Sequence, residues 1–173
     1  MTQGRAALLG LMRRYLVSLM DDSVTLLEIH KLMYFMQEAG QPLRLQYVKG
    51  TYGPYAKNLH HVLEKMEGHF IVGYGDGSEE PGKVIHAKPE AIREAEFFLK
   101  KEQAAHDRFH RVENLIDAFE TAYGLELLAS VHWVAKHEET PATTVEEAIG
   151  LVLNQAFVLF DFTNFGVGSH AHG

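Results

Sequence analysis

His106 and His110 stand one helical turn apart with Glu102 and Glu113 close by in sequence, and two imidazoles at that spacing can hold Zn²⁺ if a third donor joins them. No convincing third ligand follows, so helix-surface histidines are the expectation and no metal ligand is assigned. His60 and His61 are adjacent, which on a regular helix sends them to different faces, and His30 lies in an apolar segment where a hydrogen-bonded core imidazole is usual. Gly73, Gly75 and Gly77 in GYGDG superficially suggest a phosphate loop, but no Lys-Ser/Thr and no helix follow, and a turn is expected. Carboxylates are abundant, yet none stands with a partner base or an oxyanion loop that would divide acid and base roles. The reading is therefore a protein without catalytic residues, cofactor or metal.

Residue types suited to recognition are easier to find. Lys49, Tyr52, Tyr55 and Asn58 gather, with Lys57, in the loop KGTYGPYAKNL, and tyrosine offers large contact area with few rotors and a polar tip. The plainer alternative is that both rings anchor a glycine-containing loop to the core. Two acidic groups, Asp76, Glu79 and Glu80 in one place and Glu113, Asp117 and Glu120 in another, could imitate a row of phosphates facing a basic groove, or could simply be solvated.

These residues must be positioned by helices. Thr25 followed by Glu28 is a capping box, and Leu26, Leu27, Ile29, Leu32, Met33, Phe35 and Met36 then wrap so much of the cylinder that a central, enclosed helix is predicted, ending at Gly40 and Pro42. Leu43, Leu45 and Tyr47 alternate with polar partners as a short strand that Lys49 and Gly50 end. Pro54 suits the first turn of a following helix, closed by Gly68. An earlier amphipathic helix covers 6–19 and stops at Asp21 and Asp22. Segments 70–74 and 84–86 flank an acidic turn as a wing-like hairpin, Pro89 starts another helix, 107–123 forms the next, Gly124 separates it from 125–137, and Thr144 caps a last helix from Val145 to about Phe157. The fold class is mainly α with a small β-sheet or hairpin.

With 173 residues and 46% apolar composition there is material for one good core, and no Ser/Gly linker or repeat marks an internal boundary. One domain over 1–167 with a flexible tail at 168–173 is expected. No apolar run reaches the roughly 18 to 20 residues that span a bilayer, and the N-terminal stretch is not secretory, so the expected location is cytoplasmic. Zero cysteines remove disulfides, thiolate zinc sites and cysteine nucleophiles together. A formal charge of -7 disfavours indiscriminate nucleic-acid affinity, which comes from neutralising phosphates with Lys and Arg, and favours a basic partner.

KLMYF at Lys31 to Phe35, with a Gly-Pro at 53–54, resembles the SocA-like (Panacea) antitoxin domain. TLLEIHKLMYFMQEAG, KGTYGPYAKNLHHVL, EGHFIVGYGDG and LLASVHWVAKHE, within a similarity from about Arg5 to about Glu147, are similar to the C-terminal, toxin-binding domain of the DarG antitoxin family. The resemblance implies a bacterial antitoxin that binds a DarT-like DNA ADP-ribosyltransferase toxin and silences it by occlusion, with DNA mimicry by the acidic groups as the mechanism. It also implies that a macrodomain removing ADP-ribose from DNA, which nothing in this chain resembles, precedes it on the full-length polypeptide. The C-terminal LNQAFVLFDFTNFGVGSHAHG departs from the family pattern. Two other classes remain open: a winged-helix-like nucleic-acid-binding regulator, in which the helix after Pro54 reads a groove, and a hydrolase using histidines and carboxylates.

Overall fold

In the computed structural model, residues 1–19, 23–75 and 77–157 are described. Asp21, Asp22, Asp76 and the whole segment 158–173, on which the helix stop, one acidic-hairpin candidate and the expected tail fall, lie outside them. The chain is mainly α with a small antiparallel sheet. Its elements are α1 (Gln3–Leu19), β1 (Val24–Thr25), α2 (Leu26–Glu38), β2 (Tyr47–Gly50), β3 (Gly53–Ala56), a 3₁₀ turn (Lys57–Leu59), α3 (His60–Met66), β4 (Ile71–Val72), β5 (Val84–Ala87), α4 (Pro89–Lys101), α5 (Gln103–Ile116), α6 (Ala122–Lys136) and α7 (Val145–Phe157). Contacts divide the chain into two units, 1–130 and 131–173.

In the first unit α2 is the central element, packed on α1, α5 and β3. Its start is the capping box: the Glu28 amide donates to Thr25 Oγ1, and the Glu28 carboxylate accepts from the Thr25 amide at 2.6 Å. Tyr15 Oη on α1 donates to the other oxygen of Glu28 at 2.5 Å, which lets this carboxylate be buried with its lone pairs engaged. Burial, and then the Glu28 hydrogen bond, push the Tyr15 phenol well above its ordinary range. The next two amides, of Leu26 and Leu27, donate to the carbonyls of Lys83 and Pro81. The first turn of α2 is thereby tied to the loop before β5, whose Ile85 pairs with Val24 of β1. Strand β5 lies between β1 and β4, so a three-stranded sheet, with Ile71 opposite Ala87, replaces the simple wing.

Three sequence expectations are corrected by the backbone. Residues 43–46 form no strand, because their polar groups are taken by side chains: the Gln37 amide bonds both the amide and the carbonyl of Leu45, and Asn58 accepts from Gln46 N and donates to Arg44 O. Arg44 adopts φ 58°, a left-handed conformation unsuited to a strand. Pro54 does not open a helix but sits in β3 opposite Lys49, in a two-stranded hairpin where a missing amide hydrogen is tolerated. Lys49 and Gly50 belong to its other strand. Helix α5 stops at Ile116, with Ala118 at φ 71° just beyond, and Gly124 lies inside α6 rather than dividing it from its predecessor.

In the second unit, the Ala142 amide donates to Val134 O at 2.9 Å, bringing the chain around to α7. Thr144 caps that helix as expected: Glu147 N donates to Thr144 Oγ1 and the Glu147 carboxylate accepts from the amides of Thr143 and Thr144. The Thr143 amide, first among these donors, holds the Glu147 carboxyl below its ordinary range. Among the described residues no helix is long and apolar enough to cross a membrane.

Candidate functional site

A groove of about 330 Å³ opens between the start of α2, the β2–β3 hairpin and the loop before β5. Leu26, Leu27, His30 and Lys31 line it from α2, Gly50 to Gly53 and Tyr55 from the hairpin, and Glu79 and Pro81 from the loop. Each wall has a local cause. The capping box aims the first turn of α2 at the loop, the Leu27 amide to Pro81 O bond holds that loop close, and the hairpin is held by α2 itself.

That last attachment runs through a lysine. Lys31 is 1% exposed, and its Nζ donates to the carbonyl of Pro54 at 2.8 Å. Burial pushes its ammonium down to about 8, against the opposing attraction of Glu126, whose own carboxyl is raised by burial. Gly53 makes the approach possible, since it has φ +80° and a Cβ there would come within 2.6 Å of Ser130 Oγ and 3.6 Å of Lys31 Nζ. At the residue before Lys31, the His30 ring stacks on Tyr55 at 4.5 Å between centroids and 26° between planes. Its Nδ1 faces the Ala56 amide at 3.5 Å. Burial, and secondarily the Lys31 charge, push His30 down to about 3, so it is a neutral imidazole near neutrality. The core-imidazole reading of His30 holds.

The expected recognition residues divide. Tyr52, Tyr55 and Glu79 meet in the groove, Tyr52 with its ring about half exposed. A hydrogen bond from Tyr55 to Glu79 and the burial of the ring keep its phenol protonated well above the ordinary range, burial being the larger cause. Lys49 is on the hairpin but does not line the groove, and Glu80 is exposed beside Glu79. Asn58 serves the backbone of 44–46. Glu113, Asp117 and Glu120 surround one guanidinium: Arg14 Nε, Nη2 and Nη1 reach them at 3.0, 3.3 and 3.1 Å. Three carboxylates sharing a cation are a poor copy of a phosphate row, whose charges face outward.

The histidines divide as well. His106 and His110 bring their Nε2 atoms to 3.0 Å, with His110 Nδ1 on Glu113 at 2.7 Å, but among the described residues no third donor completes a triad there. His60 and His61 do converge, their ring centroids 3.7 Å apart, although both lie in the first turn of α3. Sequence reasoning missed Lys31 as a groove residue. The available signal was a lysine in the middle of an otherwise apolar helix.

No family model matches the chain. Among curated proteins, a "DNA ADP-ribosyl glycohydrolase" of Thermus aquaticus is 44% identical over 138 residues, covering 80% of this chain and 37% of the relative. Proteins of the same name from Mycobacterium bovis and Mycobacterium tuberculosis are each 42% identical over 161 residues, covering 83% of this chain and 45% of the relative. The chain thus spans less than half the length of the curated relatives it matches. Their name is that of an enzyme, and it corrects the expectation of a toxin-neutralising antitoxin domain that acts by DNA mimicry and has no enzymatic activity. Of the classes left open by the sequence, hydrolase fits these names better.

Proposed function

We propose that this chain is part of a DNA ADP-ribosyl glycohydrolase and that its groove engages the ADP-ribosylated nucleotide on which that enzyme acts. The observation that carries the reading is the 42% and 44% identity to proteins of that name over 80% or more of this chain. The groove has suitable chemistry: its volume falls in the range of small-molecule sites, Tyr52 offers a partly exposed ring for stacking a base, and Tyr55 is fixed by His30. Lys31 supplies a positive centre at its base. A net charge of -7 argues against holding DNA by its phosphates, so recognition would rest on stacking and shape.

Hydrolysis of a glycosidic bond delivers water to the anomeric carbon and a proton to the leaving group, work usually divided between an acid and a base. Glu79 is the carboxylate lining the groove, and the Tyr55 bond already occupies it. The groove is therefore assigned to holding the nucleotide, and turnover to the longer protein, with a macrodomain on the same polypeptide as the proposed partner. The cytoplasm, where bacterial DNA lies, is the proposed location. The test is release of ADP-ribose from a modified oligonucleotide by the longer protein, with wild-type chain and with Tyr52→Ala or Tyr55→Ala. Loss of apparent substrate affinity in both variants supports the assignment, and unchanged turnover and affinity reject it.

A further inference from the structure

We propose that His60, His61 and Glu64 form a zinc-binding site at the start of α3, independent of the groove. One donor atom from each lies within 4.8 Å of the others. Glu64 Oε2 stands 3.9 Å from His60 Nε2 and 3.7 Å from His61 Nδ1, so side-chain rotations of about an ångström bring the three to bonding distance of one ion, with Zn–N and Zn–O near 2.0 to 2.2 Å. Two imidazoles and a carboxylate are a donor set that borderline divalent cations prefer.

One imidazole is already oriented for the task. His60 Nδ1 lies 2.9 Å from the carbonyl of Lys57, which can only accept, so Nδ1 carries the hydrogen and Nε2 presents its lone pair toward Glu64. Metal-bound histidines characteristically use their second nitrogen in this way. The backbone supplies the rest: His60 and His61 open α3 with their rings against each other, and Glu64 follows one turn later. His61 and Glu64 are exposed, leaving room for a water as fourth ligand.

An ion here clasps residues one turn apart in a seven-residue helix, which has little stability of its own. Binding zinc should therefore raise the melting temperature of the chain in proportion to the logarithm of free zinc. The experiment is calorimetric titration of the chelator-stripped chain with zinc chloride, repeated on His61→Gln, Glu64→Gln and His60→Gln/His61→Gln, with cobalt absorption as a second readout. One equivalent should bind to the wild-type chain, and each variant should weaken it by at least about tenfold. His61 and Glu64 are exposed, so their single variants keep the test valid even if the double variant misfolds. Failure of the wild-type chain to bind one equivalent, or wild-type affinity retained in His61→Gln and Glu64→Gln, overturns the proposal.

Discussion

Lys31 Nζ and the carbonyl of Pro54 are joined at 2.8 Å, so the cation in the middle of the most buried helix is also the peg on which the β2–β3 hairpin hangs. The bond relates the two segments that face each other across the groove. A buried ammonium is expensive, and its burial is visible in its acidity.

Because the folded chain lowers Lys31 from 10.5 to about 8, the unfolded chain binds that proton more tightly. Unfolding then takes up a proton between these two pH values, and stability should rise with pH across that window by up to about 1.4 kcal/mol per unit. Above about 10 the buried tyrosines, Tyr15, Tyr34 and Tyr47, reverse the trend, since burial raises their folded pKa values and the unfolded chain ionises first. Urea unfolding from pH 7 to 10 should show the rise in the wild-type chain and a flatter profile in Lys31→Met. A profile identical in both would remove Lys31 as its source.

His30 sets the acid side. Lowered from 6.5 to about 3, it is protonated in the unfolded chain before the folded one. Stability should therefore fall as pH drops from about 6.5 toward 3, again by at most about 1.4 kcal/mol per unit from this group. His30→Gln, which carries no titrating proton, should reduce that slope, and an unchanged slope would assign acid sensitivity to other groups.

Leu32 and Phe35 are buried in α2, at 0% and 2% exposure. Truncating either to alanine should cost roughly 2 to 5 kcal/mol, the range for deleting a buried large side chain. Denaturant midpoints give the measurement. A cost under about 0.5 kcal/mol, typical of surface sites, would show that α2 is not the centre of the first unit.

Arg14 gathers Glu113, Asp117 and Glu120 around one guanidinium. Exposed pairs contribute about 0.2 to 1 kcal/mol each, so Arg14→Ala should destabilise by roughly 1 to 2 kcal/mol as a network. High salt should shrink that difference. Equal cost in low and high salt would mean that the side chain acts through packing.

What was legible in the sequence was local. Thr25 with Glu28, Thr144 at the head of α7 and Pro89 at the head of α4 each announce a helix start through groups within four residues, and all three starts are present. Pro54 misled because its fixed φ suits a strand edge as well as a first helical turn, and the partner that decides, Lys49 across the hairpin, is not a helical neighbour. Of the strand expected at 43–48, Tyr47 and Val48 are in β2 but 43–46 failed for a similar reason: alternation was present, but Gln37 and Asn58 took the hydrogen bonds that a neighbouring strand would have made. Tyr52, Tyr55 and Glu79 could be picked out by type as recognition candidates. Their convergence with Lys31, and the capture of the other acidic group by Arg14 about a hundred residues away, depend on tertiary packing that no spacing rule encodes.

The most direct test of the groove assignment is binding of a single-stranded oligonucleotide carrying one ADP-ribosylated base, set against the same oligonucleotide unmodified, measured by fluorescence anisotropy at several salt concentrations. The modified strand should bind at least about tenfold more tightly, with Tyr52→Ala and Tyr55→Ala erasing most of that preference, since stacking is worth about 1 to 3 kcal/mol per base. With Lys31 the cation lining the groove, the salt dependence should be shallow, near the slope of about one phosphate contact. Equal affinity for modified and unmodified strands, or a preference that both tyrosine variants retain, would contradict the account.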